Sequence, residues 1–211
     1  MDKLEDLLRN YNLAHADDLQ VSPSSKQYCR TPFPKYWKTV FRIMNDINRD
    51  NSVIEIGCGQ GDVTTIFCYL GFEKVTSFEK VPALAANAKR RVHDLFGRTD
   101  VIFMGEFLGN QYTECNVLVL VNCAYKDLAD SKNGYKKLMK DYYAAAGKPH
   151  YFIMEVIDTS YTVEDEEFPE YIRLSPEDVD DMFPGFNIQS WPTYRYPENR
   201  RSKTLYLIEK K

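Results

Sequence analysis

Between residues 55 and 62 the chain reads Glu55-Ile56-Gly57-Cys58-Gly59-Gln60-Gly61-Asp62, three glycines at alternate positions after a short apolar run. Glycines there let the backbone turn sharply and let a ligand come close to the main chain. Dinucleotide sites use glycine loops too. Here, however, Asp62 holds the place where that fingerprint wants its last glycine, and its carboxylate would repel a pyrophosphate. No Gly-x-x-x-x-Gly-Lys-Ser/Thr phosphate loop occurs. Metal chemistry is not expected. The five cysteines (Cys29, Cys58, Cys68, Cys115, Cys123) form no Cys-x-x-Cys pair, and only His15, His93 and His150 could assist them. They read as free thiols in a reducing compartment.

The elements that must position this loop follow a strand–helix alternation. Strands are expected at 52–57, 74–79, 101–104, 116–121 and 150–157, with helices at 62–70, 81–96 and about 132–146 between them. The 81–96 helix shows Leu84, Ala88, Val92 and Leu95 on one face. Asn116 to Val121 is apolar on both faces, as a central parallel strand should be. Ser175-Pro176-Glu177-Asp178 looks like a helix start, with a Ser cap and Pro at the first position. Residues 186–191 and 203–209 close the chain as a hairpin-like pair. Residues 1–49 differ in character and read as an N-terminal helical cap or substrate lid, with helices near 2–9 and 35–48, ahead of a domain over 50–211. The expected fold is α/β: a seven-stranded, mostly parallel sheet with helices on both faces and an antiparallel last strand.

The 211 residues suit one ordinary domain, and 44% hydrophobic content is enough for a core. The net charge of −4 argues against a protein that coats nucleic acid. No apolar run reaches membrane-spanning length, and the acidic N-terminus does not resemble a signal peptide, so a cytoplasmic location is expected.

The glycine loop, the acids at the strand ends and their order make the chain similar to the class I S-adenosylmethionine-dependent methyltransferases over roughly residues 50–211. The resemblance implies a Rossmann-like methyltransferase fold with S-adenosylmethionine as cofactor. It implies that Glu55, Gly57, Cys58, Gly59 and Gly61 form the loop around the methionine part. Glu79, with Lys80 beside it, would accept hydrogen bonds from the ribose diol, for which a carboxylate has paired acceptors. Gly105-Glu106-Phe107 matches a segment whose acid takes the adenine amino group while an apolar neighbour packs on the ring.

The fourth strand runs into Asn122-Cys123-Ala124-Tyr125. Many amino-group methyltransferases carry Asn/Asp-Pro-Pro-Tyr/Phe there, and the first and last members match while the two prolines are missing. In that pattern Asn122, itself beside the cofactor, accepts N–H bonds and aims a nitrogen lone pair, and Tyr125 stacks on the acceptor or favours the sulfonium. These two are the catalytic candidates. An alcohol acceptor usually wants a general base, for which Asp127, Glu155 and Asp158 stand near strand carboxyl ends. His93 and His150 are expected to be solvated or structural. Tyr28, Arg30, Tyr36 and Trp37 in a basic-aromatic stretch read either as a grip on the acceptor or as an anchor for the N-terminal segment. Residues 155–181 hold eleven acids against Arg173 alone and read as a solvated loop. Arg195, Arg200, Arg201 and Lys203 read as an exposed turn.

The expected activity is methyl transfer to a small-molecule acceptor: a metabolite, sugar or specialised-pathway intermediate, through oxygen or nitrogen. The alternatives are a protein (lysine-type) or RNA N-methyltransferase, or a non-catalytic S-adenosylmethionine-binding module.

Overall fold

The computed structural model describes residues 1–15, 32–109, 114–123 and 129–211. The chain forms two compact units, Met1–Glu106 and Phe107–Lys211. The N-terminal segment belongs to the first. That unit contains helices α1 (Asp2–Ala14), α2 (Lys35–Asp46), α3 (Thr64–Leu70) and α4 (Pro82–Phe96), and strands β1 (Val53–Ile56), β2 (Val75–Glu79) and β3 (Ile102–Met104). β2 lies between β1 and β3 and is parallel to both, with Ile56 opposite Phe78 and Glu79 opposite Met104. The carboxyl ends of three strands therefore share one edge, where the glycine loop leaves β1.

Local sequence explains the helix limits. α2 puts Tyr36, Trp37, Val40, Phe41 and Met44 into the core at three- and four-residue spacing. α4 starts with Pro82 and stops at Gly97, whose φ of 67° is the left-handed conformation that ends helices. Its buried stripe is Ala85, Ala88, Arg91 and Val92. The expected stripe was displaced by one position at its start, because Leu84 and Leu95 are only partly covered.

The second unit contains β4 (Val117–Leu120), α5 (Lys132–Ala145), β5 (Tyr151–Asp158), β6 (Arg173–Leu174), α6 (Pro176–Met182), β7 (Asn187–Tyr194) and β8 (Lys203–Glu209). β4 and β5 are parallel, and every residue of β4 is fully buried, as its two-sided apolar sequence requires. β8 runs antiparallel between β5 and β7. The two-residue β6, which pairs with β5, is an addition to the seven expected strands. Ser175 caps α6 in a reciprocal box with Asp178.

β8 begins at Lys203 as the expected strand over 203–209 does, but the expected exposure of that lysine is corrected: it is 0% exposed. Arg201 lies over the Tyr194 ring. The acidic run is likewise not all solvated. Glu155 is fully buried, and the buried Arg173 guanidinium donates to the carbonyls of Phe168, Tyr161 and Val163, which organises the loop. Among the described residues no helix is long and apolar enough to cross a membrane.

Candidate functional site

In the first unit, the loop after β1 is held from three sides. From below, the Glu55 carboxylate is buried and its Oε2 accepts from Thr64 Oγ1 at 2.5 Å and Ser77 Oγ at 2.8 Å. Burial pushes its pKa up to about 7, against the pull of those two hydroxyls. Glu55 thus ties β1 to α3 and β2 beneath the loop.

From β2, the Glu79 carboxylate accepts from Gly59 N through Oε2 and from Val81 N through Oε1, each at 2.8 Å. A carboxylate has about four acceptor sites, so each oxygen keeps capacity for a further donor. The Gly105 N–H donates to the Glu79 carbonyl at 2.9 Å, which brings the segment after β3 to the same edge. Glu106 is exposed there, 3.7 Å from the exposed Lys80 ammonium. Such a surface pair contributes little stability and leaves both groups accessible.

From the side, α4 and the N-terminal helices grip the end of the loop. Arg91, 1% exposed, donates to Gln60 O at 2.8 Å, Asp62 Oδ1 at 2.5 Å and Asn12 Oδ1 of α1 at 2.7 Å. Burial raises the Asp62 pKa, against the opposing Arg91 charge. Trp37 of α2, wholly buried, donates from Nε1 to Asp62 O at 2.8 Å. Trp37 therefore takes the anchoring part of the two readings of its stretch, and Tyr36 is buried beside it. Tyr28 and Arg30 lie outside the described residues.

The glycines meet the physical demands the sequence suggested. Gly57, Gly59 and Gly61 have φ of 70°, 57° and 80°. A Cβ on Gly61 would come 3.2 Å from Ala88 Cβ, so that glycine permits loop-to-helix packing. A Cβ on Gly59 would meet nothing within 4 Å, so the space beside that stretch of backbone is open. Cys58 is buried between them.

In the second unit, Asn122 follows β4 with φ of 57°, a conformation Asn tolerates better than most residues. Its Oδ1 accepts from Lys203 Nζ at 2.6 Å. Lys203 also stands 3.6 Å from Glu155 Oε2, and Thr193 Oγ1 donates to Glu155 Oε1 at 2.6 Å. Burial lowers the Lys203 pKa to about 8, even against the favourable charge of Glu155. Asp158 accepts from Thr204 Oγ1 at 2.6 Å and Ser160 N at 2.8 Å. Burial alone would raise its pKa, and these bonds outweigh it and hold the carboxyl low. Phe107 is buried near the Tyr142 ring. Tyr125 and Asp127 lie outside the described residues. His93 and His150 are largely exposed, beside Asp94 and Glu209.

Sequence reasoning missed Arg91 and Lys203. Arg91 had a signal, because it stands three residues after Ala88 on the buried stripe of α4. Lys203 had none in its own neighbourhood.

No protein-family model and no curated protein sequence matches the chain. Solved structures do. Magnesium protoporphyrin IX methyltransferase (ChlM) from Synechocystis PCC 6803 with bound S-adenosylhomocysteine superposes with a TM-score of 0.64 at 12% identity, covering 98% of this chain and 100% of that one. N-methyltransferase NodS from Bradyrhizobium japonicum WM9 gives a TM-score of 0.63 at 12% identity, over 83% of this chain and 95% of that one. Cofactor-bound Rv0187 from MTB gives 0.64 at 12% identity, over 97% and 90%. With its parallel strands, intervening helices and antiparallel strands near the C-terminus, the chain has the Rossmann-like class I methyltransferase fold.

Proposed function

We propose that the protein is an S-adenosylmethionine-dependent methyltransferase that acts on a small metabolite, sugar or specialised-pathway intermediate, in a cytoplasmic setting. The observation that carries the reading is the Glu79 carboxylate joined to the Gly59 N–H at the carboxyl ends of adjacent parallel strands, the place where open α/β sheets bind ligands. The residues present fit the cofactor: Gly59 leaves open space beside the backbone, Glu79 has paired oxygens for a diol, and Glu106 is an accessible acid. Gly57 to Gly61 would hold the methionine part, Glu79 the ribose and Glu106 the adenine amino group. When bound, S-adenosylmethionine supplies a methyl already activated on a sulfonium. The chain's own task is then to hold the acceptor in line, and positioning alone carries much of such a reaction.

The environments of two general-base candidates support that division of labour. Glu155 is fully buried with its oxygens beside Lys203 and Thr193, and Asp158 is held at low pKa by the hydroxyl and amide bonds it accepts, which makes it a poor base near neutrality. Asn122, at the end of β4, is the residue proposed to face the acceptor. ChlM and NodS bear names of different methyltransferases on this one fold, so the acceptor must be argued from the site and not from the fold.

Calorimetric titration with S-adenosylmethionine and S-adenosylhomocysteine, with NAD as control, tests the reading. Both sulfur nucleotides are expected to bind and NAD is not. Glu79→Ala is expected to weaken that binding about tenfold or more, the worth of a hydrogen bond to a charged acceptor. Unchanged affinity in the variant would remove Glu79 from the site, and binding of NAD alone would reject the methyltransferase reading.

A further inference from the structure

Three carboxylates converge on the glycine loop of the first unit. Glu55 lies beneath it, Glu79 accepts from Gly59 N at its side, and Asp62 stands at its end. Arg91 of α4 is spent on Asp62, and Lys80 stands beside Glu106. Among the described residues no lysine or arginine forms an ion pair with Glu55. The titratable groups that face it are Asp62 of the loop, Glu79 of β2 and Cys68 of α3, with Arg91 entering the group through Asp62. The two oxygens of this buried carboxyl have separate tasks. Oε2 accepts from both Thr64 Oγ1 and Ser77 Oγ, while no described residue donates to Oε1. A proton carried on Oε1 therefore leaves the ties from β1 to α3 and β2 in place. The fold accommodates Glu55 either as the acid or as the carboxylate. Burial pushes its pKa up to about 7; the two hydroxyls oppose this, and the Asp62 and Glu79 charges add to it.

We infer that Glu55 couples cofactor binding to proton release: it carries a proton in the free protein on the acid side of neutrality, and gives it up when the ammonium end of the cofactor's amino-acid part settles along Gly57 to Gly61. The inference rests on the proposed reading that this loop holds the methionine part. That part is a zwitterion. An excess of carboxylates attracts its ammonium and repels its carboxylate, so the ammonium is the end turned toward Glu55 and Glu79. A cation held there favours the ionised form of Glu55. The O–H bond of the carboxyl breaks, its electron pair stays on the oxygen, and the proton passes to the buffer. The ligand need not touch Glu55, because charges shielded from water act on one another over several ångströms. Affinity for the cofactor thereby depends on pH. Below neutrality the acid must first lose its proton, and that step costs more as the pH falls.

The test is calorimetric titration of the full-length protein with S-adenosylhomocysteine at pH 7 in phosphate and in Tris, whose different ionisation enthalpies report the protons released. The wild type is expected to release about half a proton at pH 7 and to bind roughly tenfold more weakly at pH 6 than at pH 8. 5′-Methylthioadenosine, which has no amino-acid part, is expected to bind without this release. Glu55→Gln keeps an acceptor for Thr64 and Ser77 but cannot ionise. It is expected to release no proton, to match the wild type at pH 6 and to fall roughly tenfold below it at pH 8. A wild-type release below about a tenth of a proton, an equal release with 5′-methylthioadenosine, or the same release from folded Glu55→Gln would overturn the inference. The wild-type proton count decides whether or not the variant folds. Failure of the wild type to bind S-adenosylhomocysteine at pH 8 would overturn the methyltransferase reading itself and this inference with it.

Discussion

Replacing Arg91 by Met should destabilise the protein more than any other single change at the glycine loop. The guanidinium donates to Gln60 O, Asp62 Oδ1 and Asn12 Oδ1 while 1% exposed, and Asp62 has only 13% of its side-chain surface in solvent. Removing Arg91 therefore leaves a mostly buried carboxylate without its cation, and two acceptors lose a donor. Breaking one side of a buried pair costs about 3–5 kcal/mol. For a chain of this size each kcal/mol lowers the melting temperature by roughly 2–4 °C, so a fall of about 6–20 °C is expected by differential scanning calorimetry near pH 8. The loss should shrink at acid pH. Burial already raises the Asp62 pKa in the presence of Arg91, and without the cation the carboxyl is neutralised more readily on acidification. Adding Asp62→Asn to Arg91→Met removes the stranded charge and should restore part of the stability. A melting temperature within about 2 °C of the wild type at pH 8, or a double variant less stable than Arg91→Met alone, would refute this account of the loop's anchorage.

Two further outcomes follow from the same loop. Glu55 has a folded-state pKa near 7 against an ordinary 4.5, so the folded state binds the proton more tightly, and stability falls as pH rises from about 4.5 to about 7. Glu55→Gln keeps an acceptor for Thr64 and Ser77 without the charge, and in urea unfolding it should gain on the wild type between pH 5 and pH 8. A stability gap that does not change with pH would exclude the buried acid as the cause. Gly59→Ala and Gly61→Ala should separate ligand space from packing. Both strain a positive φ by about 1–2 kcal/mol, but only at Gly61 does the added methyl meet Ala88. Gly61→Ala should therefore show the larger fall in melting temperature, and Gly59→Ala the larger loss of S-adenosylhomocysteine affinity. The opposite ranking would place the ligand elsewhere.

Most of the geometry of the first unit's candidate site was legible in the sequence because its determinants are local. Gly57, Gly59 and Gly61 are dictated by a backbone that must turn at positive φ straight out of a strand, and Glu79 reaches the loop because it ends the next strand. The two-residue spacing of strands and the three- and four-residue spacing of helices marked most elements closely, although α1 runs on to Ala14 and β6 was not foreseen, and Ser175 and Asp178 announced α6 by capping chemistry alone. Other features depend on which surfaces meet. Trp37 could have faced an acceptor or the core, and only the packing of α2 directs its N–H to Asp62. Arg91 lies on an otherwise apolar stripe, yet its three partners come from α1 and the glycine loop, up to 79 residues away. Lys203 sits in a strand of alternating residues like any surface lysine. Antiparallel register and the bulge at Thr193 carry it inward to Asn122, 81 residues away in sequence. Periodicity and turn chemistry specify the elements and the residues at their ends, because those are short-range constraints on φ and ψ. Which charges are buried, and which groups they are set against, depends on partners that only the folded chain assembles.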